Sequence, residues 1–200
     1  MKRTEIITIF DTSGSMQSIR ADAEGGYNAF IEEQKKLPGE ARLTSVTFNN
    51  YVFTAPTVDV REAPRFTLSP LGGTALYDAI GATLNQQISR ITRERWSDSV
   101  ILVMVTDGGE NASRIHSRDT AKALIETVQN MGWRVVFLAA NQDAFAVGSG
   151  LGVHHQFTHN FKADTIGTRS MVETVSAYTS NTRGIGSMDA VHKAAEKLMG

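Results

Sequence analysis

Hydrophobic and polar positions along this chain follow two periods, one typical of buried strands and the other typical of amphipathic helices. Short apolar or β-branched runs predict four buried strands, at residues 6–10, 43–48, 100–106 and 135–140. Apolar residues that recur every three or four positions predict three helices between them, starting near residues 16, 74 and 121. Because strands and helices alternate, the pattern predicts a doubly wound α/β fold, with a mostly parallel sheet and helices on both faces.

One turn and the C-terminal region complete the predicted fold. The Asn49-Asn50 turn predicts a hairpin with an antiparallel edge strand at residues 51–53. Weaker patterns predict a small helix at residues 143–150, a last strand at 154–157, and C-terminal helices at 166–179 and 188–199. No repeat or low-complexity tract interrupts the pattern, so we interpret residues 1–200 as one domain, with a core at about 4–160 and C-terminal helices at about 163–199.

Two adjacent glycines lie inside the first predicted helix. Gly25-Gly26 should cost about 1 kcal/mol per residue relative to alanine, so the pair needs a structural reason. We interpret it as a kink, or as a place where another element packs closely against the helix.

Composition narrows the classes of function. The chain has 200 residues, of which 41% are hydrophobic, a formal net charge of −1 and no cysteine. Acidic and basic residues are interspersed, so we expect no strongly charged surface that would attract nucleic acid or a membrane. The absence of cysteine excludes disulfides and thiolate metal sites. The first apolar run is too short for a signal peptide and no run reaches the length of a transmembrane helix, so we expect a soluble, cytoplasmic protein.

Three short polar segments lie where the predicted strands end or the predicted helices begin. Asp11, Ser13 and Ser15 follow the first strand, Thr74 precedes the second long helix, and Asp107 follows the central strand. If those two strands are neighbours, the segments meet outside the carboxyl ends of the strands, where open α/β sheets bind their ligands. Two carboxylates and three hydroxyls would then surround one point.

An all-oxygen set of this kind selects a hard cation such as Mg²⁺, Mn²⁺ or Ca²⁺. Two carboxylates only balance the charge of a divalent ion, and neutral hydroxyls donate weakly. The ion would therefore keep an affinity for one more anionic oxygen, which an external carboxylate can supply. The nearby helix N-termini favour an anion at the same place.

The segment Asp11-Thr12-Ser13-Gly14-Ser15 resembles the D-x-S-G-S loop of von Willebrand factor type A (VWA) domains. Gly73-Thr74 and Thr106-Asp107-Gly108 are similar to the second and third metal loops of that family, and the resemblance runs from Ile6 to about His159. It implies a Rossmann-like fold with a metal-ion-dependent adhesion site (MIDAS), in a single-domain form like those of bacteria or phages.

By this resemblance Ser13, Ser15 and Thr74 would bind the ion directly, and Asp11 and Asp107 would bind it directly or through water. Magnesium, manganese or calcium would be the cofactor. The family generally binds proteins rather than transforming substrates, so the resemblance implies a protein partner that presents an Asp or Glu. It also permits an association with a ring-shaped ATPase, as in bacterial relatives.

Other interpretations of the same residues stay open. Capping is one alternative: Asp11, Ser13, Ser15 and Thr74 are residue types typical of helix N-caps, and Asp107 could cap a turn with Gly108-Gly109. A metal-assisted phosphoryl hydrolase would place an acid after its first strand, but it usually needs a second acid two residues later, where Ser13 stands. A structural subunit could use the metal only to tie its loops together. His154, His155 and His159 lack a common zinc spacing, which favours structural or surface roles.

Four further residues lie near the three segments. Glu110 and Asn111 follow the third loop, and we interpret them as solvated loop residues rather than as contacts to a partner. Tyr77 and Asp78 are candidates for supporting the Thr74 loop from behind.

Overall fold

The computed structural model describes residues 2–140, 144–162, 164–186, 191 and 193–196 of the chain. At its centre lies one seven-stranded sheet, in which the order of strands is β3-β2-β1-β5-β6-β7 and β4 pairs with β2. The strands are β1 (Thr4–Asp11), β2 (Ala41–Phe48), β3 (Val52–Thr54), β4 (Val58–Asp59), β5 (Ser99–Thr106), β6 (Arg134–Ala140) and β7 (Thr158–Phe161). All pairs are parallel except β2 with β3 and β2 with β4. This confirms the predicted mostly parallel sheet with an antiparallel edge strand.

Helices cover both faces of the sheet, as predicted for a Rossmann-like α/β fold. They are α1 (Arg20–Lys36), α2 (Leu76–Glu94), α3 (Arg118–Asn130), α4 (Ala144–Gly150) and α5 (Thr165–Thr182). Successive side chains of a strand point to opposite faces, so Ile6 packs in the core beneath α1 and α5, while Ile7 packs beneath α2 and α3. No helix among the described residues is both long enough and apolar enough to cross a membrane.

Two predicted elements differ in detail. The first helix does not begin at residue 16 as an α-helix, because a 3₁₀ segment (Gly14–Ile19) comes first. The last strand is β7 rather than residues 154–157: His155–Phe157 form a 3₁₀ turn, closed by a hydrogen bond from Phe157 N to His154 O at 2.9 Å.

The remaining differences concern elements that weak patterns could not fix. β4 is a two-residue strand that was not predicted. The predicted helix at 188–199 lies mostly outside the described residues, although residues 191 and 193–196 are helical, and residue 143 also lies outside them.

The two glycines of α1 have different environments. A β-carbon on Gly26 would lie 2.6 Å from Cγ2 of Val172 in α5, whereas one on Gly25 would meet nothing within 4 Å. The close packing contact is therefore confirmed for Gly26, which lets α1 and α5 approach each other. α1 runs without a break through both residues.

This contrast predicts opposite effects of the same substitution. Gly26→Ala should lower the free energy of unfolding by about 1–3 kcal/mol, because the added methyl group overpacks the contact with Val172. Gly25→Ala should raise it by about 1 kcal/mol, because an exposed helical glycine gains helix propensity. Urea unfolding of the two variants measures both values. Equal effects would show that α5 does not pack against Gly26 in solution.

Candidate metal centre

The sheet brings the first and third polar loops side by side. β1 and β5 are neighbouring parallel strands, and Phe10 pairs with Val105 near their carboxyl ends. Asp11 is the last residue of β1, and Asp107 directly follows β5. The condition on which the shared site depended, that these two strands are neighbours, is therefore met, and both carboxylates lie at the same edge of the sheet.

Side chains of the first loop contact one another and the third loop. The backbone N–H of Ser13 donates to Oδ1 of Asp11 at 2.7 Å. The hydroxyls of Ser13 and Ser15 are hydrogen-bonded at 3.0 Å. The Ser15 hydroxyl also donates to Oδ1 of Asp107 at 2.6 Å, which joins the two loops directly.

Thr74 of the second loop reaches the same point. A β-carbon built on Gly108 would lie 3.1 Å from Oγ1 of Thr74, 3.1 Å from Oγ of Ser15 and 3.9 Å from Oγ of Ser13. The three hydroxyls therefore converge beside Gly108, in a space that a larger residue at this position would occupy.

Helix capping does not account for these hydroxyls. The N-cap of α2 is Ala75 rather than Thr74, so no side chain caps this helix from the N-cap position. Ser13 precedes the 3₁₀ segment, but its side chain accepts no capping hydrogen bond either. The side chains that could have capped helices are directed instead towards the shared point.

Backbone hydrogen bonds hold the second loop against the first. Leu71 N donates to Thr12 O at 2.9 Å, and Gly14 N donates to Gly72 O at 3.0 Å. Gly72 has a φ of +78°, in the left-handed region that glycine adopts most readily. A Gly72 side chain would therefore strain the turn that leads to Thr74.

Burial determines the electrostatics of the site. Asp11, Ser13, Thr74 and Asp107 are buried, whereas Ser15 is exposed and marks the side that is open to solvent. Desolvation raises the pKa of the Asp11 carboxyl, although hydrogen bonds from Thr106 and Ser13 oppose the shift. Desolvation also raises the pKa of the Asp107 carboxyl, opposed by the hydrogen bond from Ser15. A nearby positive charge would stabilise the charged form of both carboxylates.

Three observations fit the side chains to a hard divalent cation. Oδ2 of Asp107 is buried and has no hydrogen-bond partner, which is costly for a carboxylate oxygen. Every side-chain donor atom of the set is an oxygen, the ligand type that such ions prefer. The hydroxyls of Ser13 and Ser15 lie 3.0 Å apart, close enough for a single ion to contact both.

Sequence reasoning missed several residues that position these ligands. The hydroxyl of Thr106 donates to Oδ2 of Asp11 at 2.6 Å, and Oδ1 of Asn111 accepts from Thr74 N at 2.9 Å. Oδ1 of Asn50 accepts from Gly73 N at 2.8 Å. Only Thr106 was within the recognised motif; Asn50 and Asn111 act through backbone amides of another loop, which leaves no pattern in the sequence.

Glu110 corrects the prediction that it is a solvated loop residue. Its Oε1 accepts from Ala112 N and Ser113 N, and its Oε2 accepts from Tyr77 N and from the Ser113 hydroxyl. Glu110 therefore ties the third loop to the start of α2. Asn111 is exposed but also makes the internal hydrogen bond described above.

Asp78 supports the third loop rather than the Thr74 loop that we expected it to support. Its carboxylate accepts from three successive backbone amides, those of Arg114 at 2.8 Å, Ile115 at 2.9 Å and His116 at 2.6 Å. The residue is 8% exposed. This buried carboxylate, like that of Glu110, thus fastens the loop that follows Asp107 to α2.

The C-terminal histidines do not form a cluster with other metal ligands. His159 is buried and bonds through Nε2 to the hydroxyl of Tyr178 at 2.8 Å, and desolvation lowers its pKa to about 4. His155 stacks on Phe145. Within the part of the chain that the structure describes, no group of three or more His, Cys, Asp or Glu side chains is placed to hold a metal.

Comparison with solved structures identifies the class of fold. One similar structure is proximal thread matrix protein 1 (PTMP1) from the mussel byssus with a zinc-occupied MIDAS motif, at TM-score 0.63 and 14% identity over 88% of this chain. A second is manganese-loaded TRAP protein of Plasmodium vivax, at TM-score 0.57 and 15% identity, covering 86% of this chain and 72% of that one. A third is the vWF domain of the type V pili tip protein Mfa5 from Porphyromonas gingivalis, at TM-score 0.60 and 8% identity, covering 93% and 97% of the two chains.

These similarities show that the chain has the fold of a VWA domain. The chain spans only 45% of the length of PTMP1. Comparison of the sequence with family models and with curated proteins finds no match.

Proposed function

We propose that this protein is a divalent-metal-dependent protein-binding module whose partner presents an Asp or Glu to the metal. One observation carries the proposal: oxygen-bearing side chains from three loops surround one point, and a buried oxygen of Asp107 there has no hydrogen-bond partner. A protein that kept this site only for stability would gain by pairing that oxygen internally. A cation explains both the convergence and the unpaired oxygen.

Five residues would hold the ion, as in a metal-ion-dependent adhesion site. They are Asp11, Ser13, Ser15, Thr74 and Asp107. We propose Mg²⁺ as the resident ion, with Mn²⁺ or Ca²⁺ as substitutes. Of the similar structures, PTMP1 holds zinc in its MIDAS motif and TRAP is loaded with manganese. When bound, the ion supplies an electrophilic centre that attracts an anionic oxygen. The exposed position of Ser15 leaves the solvent side open for that oxygen.

Binding rather than catalysis is the function that this set of residues favours. The position two residues after Asp11 holds the buried Ser13, which cannot serve as the second acid of a phosphoryl hydrolase. We propose one domain over residues 1–200, a cytoplasmic location, and a protein partner rather than nucleic acid or a membrane. An association with a ring-shaped ATPase is part of this proposal and rests on the family resemblance alone.

Two measurements on the purified protein and its host test the proposal. Calorimetric titration should show binding of Mg²⁺ or Mn²⁺, and Asp11→Ala should remove it. In a pulldown from the native host, a partner should bind in Mg²⁺, leave in EDTA, and fail to bind Asp11→Ala. A partner that binds equally well in EDTA would contradict metal-dependent recognition, and turnover of a phosphate ester that is lost in Asp11→Ala would favour the hydrolase instead.

A further inference from the structure

An open groove lies at the β2–β3 edge of the sheet, on the face that α1 covers. Its volume is about 520 Å³, within the range of sites that take small ligands or side chains. We call it the edge groove and define it by six of its lining residues: Tyr27, Ser45, Phe53, Pro56, Val58 and Phe66. Four of these residues are apolar, and the hydroxyls of Tyr27 and Ser45 bond to each other at 2.8 Å. The groove therefore suits an apolar group more than a charged one.

The edge groove is open because the sheet is poorly covered at this edge. β3 has only three residues and ends the order of strands, and β4 has only two. Phe53 of β3 is 67% exposed and presents an apolar side chain to solvent beside the groove. A second molecule that covered Phe53 would bury apolar surface that the isolated chain leaves in water.

The edge groove begins beside the metal loops. Thr47 also lines it and pairs across the sheet with Phe10, and the next pair in the same register is Asp11 with Phe48. Consecutive residues of a strand are about 3 Å apart along its axis, and neighbouring strands lie about 5 Å apart. The upper end of the groove thus lies within about 10 Å of the backbone of a proposed metal ligand.

A second connection follows the chain above the groove. Thr67 lines the groove, and four residues later Leu71 N donates to Thr12 O, within the first metal loop. Leu71 is itself 72% exposed. A short stretch of chain thus joins the lining of the groove to the first metal loop, where Leu71 adds an exposed apolar side chain.

We propose that the edge groove receives a large apolar side chain from the same partner segment that offers its carboxylate to the metal. This inference rests on the function proposed above. An extended segment advances about 3.3 Å per residue, so the apolar side chain would stand about two to four residues from the Asp or Glu. The exposed Arg65 also lines the groove, so the segment should carry further acidic residues. The recognised partner is thus an extended acidic segment with one aromatic or large aliphatic anchor.

A display library of short random peptides with one fixed Asp tests this inference. The full chain is the bait in Mg²⁺, and bound peptides are eluted with EDTA. The eluted peptides should be enriched in aromatic or large aliphatic residues at one fixed distance from the Asp. Affinity of a selected peptide should fall about tenfold in Phe53→Ala, which removes a wall, and in Thr67→Trp, which obstructs the groove from an exposed position.

Met131→Ala is the control, because Met131 is an apolar residue, 46% exposed, that lies between α3 and the start of β6, at the edge of the sheet opposite the metal loops. It should leave the affinity unchanged. If no peptide elutes with EDTA, metal-dependent recognition itself fails. If Asp peptides elute without a preferred apolar position, or bind Phe53→Ala and Thr67→Trp as tightly as the wild type, only the edge groove is overturned. Self-association of the chain that disappears in Phe53→Ala would assign the groove to a second copy and would also overturn the inference.

Discussion

Replacing Asp107 by asparagine should abolish the stabilisation of this protein by divalent cations, yet leave the metal-free protein at least as stable as the wild type. The reason is that Oδ2 of Asp107 is buried without a hydrogen-bond partner. Burial raises the pKa of this carboxyl because the charged form loses water. Without metal the charge is therefore a cost to the folded state, and the neutral amide removes that cost. With metal the same charge becomes the main attraction.

The measurement is the free energy of unfolding by urea in EDTA and in Mg²⁺ or Mn²⁺. A cation at 100 times its dissociation constant should stabilise the wild type by about 2.7 kcal/mol, because it binds only the folded state. Asp107→Asn should gain almost nothing, since loss of a ligand should weaken metal binding by about 100-fold or more. In EDTA, the free energy of unfolding of Asp107→Asn should equal or exceed that of the wild type. In Mg²⁺, that of the wild type should be the higher of the two.

Asp119→Asn provides the matched control. It makes the same chemical change at an exposed carboxylate in the first turn of α3. It should leave the metal-induced stabilisation intact. If Asp107→Asn instead lowered stability by the same amount in EDTA and in Mg²⁺, Asp107 would have a purely structural role.

The strands of the fold could be predicted because burial on both faces leaves a strong signal. β5 and β6 are apolar at nearly every position, which only a covered central strand requires. β4 and β7 left no such signal. β4 has two residues, and the polar residues Thr158 and His159 of β7 are buried through contacts with other parts of the chain rather than through an apolar pattern.

Whether the candidate site could be predicted depended on whether two strands are neighbours. Once β1 and β5 are neighbours, Asp11 and Asp107 must lie together at one edge of the sheet. The residues that fix the loops were not predictable, because Asn50 and Asn111 bond to backbone amides whose positions exist only after folding. The edge groove could not be predicted either, since it depends on the path that residues 55–67 take beside β2 after folding.

Removal of the Asp78 carboxylate should be the second change with a large effect, on both stability and metal binding. Three backbone amides that donate to it would lose their acceptor in Asp78→Ala. Hydrogen bonds to charged groups contribute about 1.5–3 kcal/mol each, with partial compensation by water, so we expect a loss of about 3–5 kcal/mol. Metal affinity should fall about 10-fold to 100-fold, although Asp78 is not among the proposed ligands, because it holds the loop that follows Asp107.

The pH dependence of this loss identifies its cause. Burial alone would raise the pKa of Asp78, but the three amide hydrogen bonds, together with the nearby His116 side chain, lower it below the ordinary value of 3.8. The stabilisation by the carboxylate should therefore be complete well above pH 3.8 and should be lost as the pH falls through the lowered pKa. Urea unfolding at neutral and acid pH measures this difference between the wild type and Asp78→Ala.

Asp59, the last residue of β4, is the control for Asp78, because its carboxylate accepts from one backbone N–H, that of Arg61, at 2.8 Å and otherwise makes an ion pair with the Arg61 side chain at 3.7 Å. Asp59→Ala should cost about 1 kcal/mol and should not change metal affinity. If Asp78→Ala cost no more than Asp59→Ala, the three amides would have found other acceptors. If it lowered stability without weakening metal binding, the order of the third loop would not control the position of Asp107. The combined loss that we expect would instead show that a carboxylate behind the site positions the carboxylate within it.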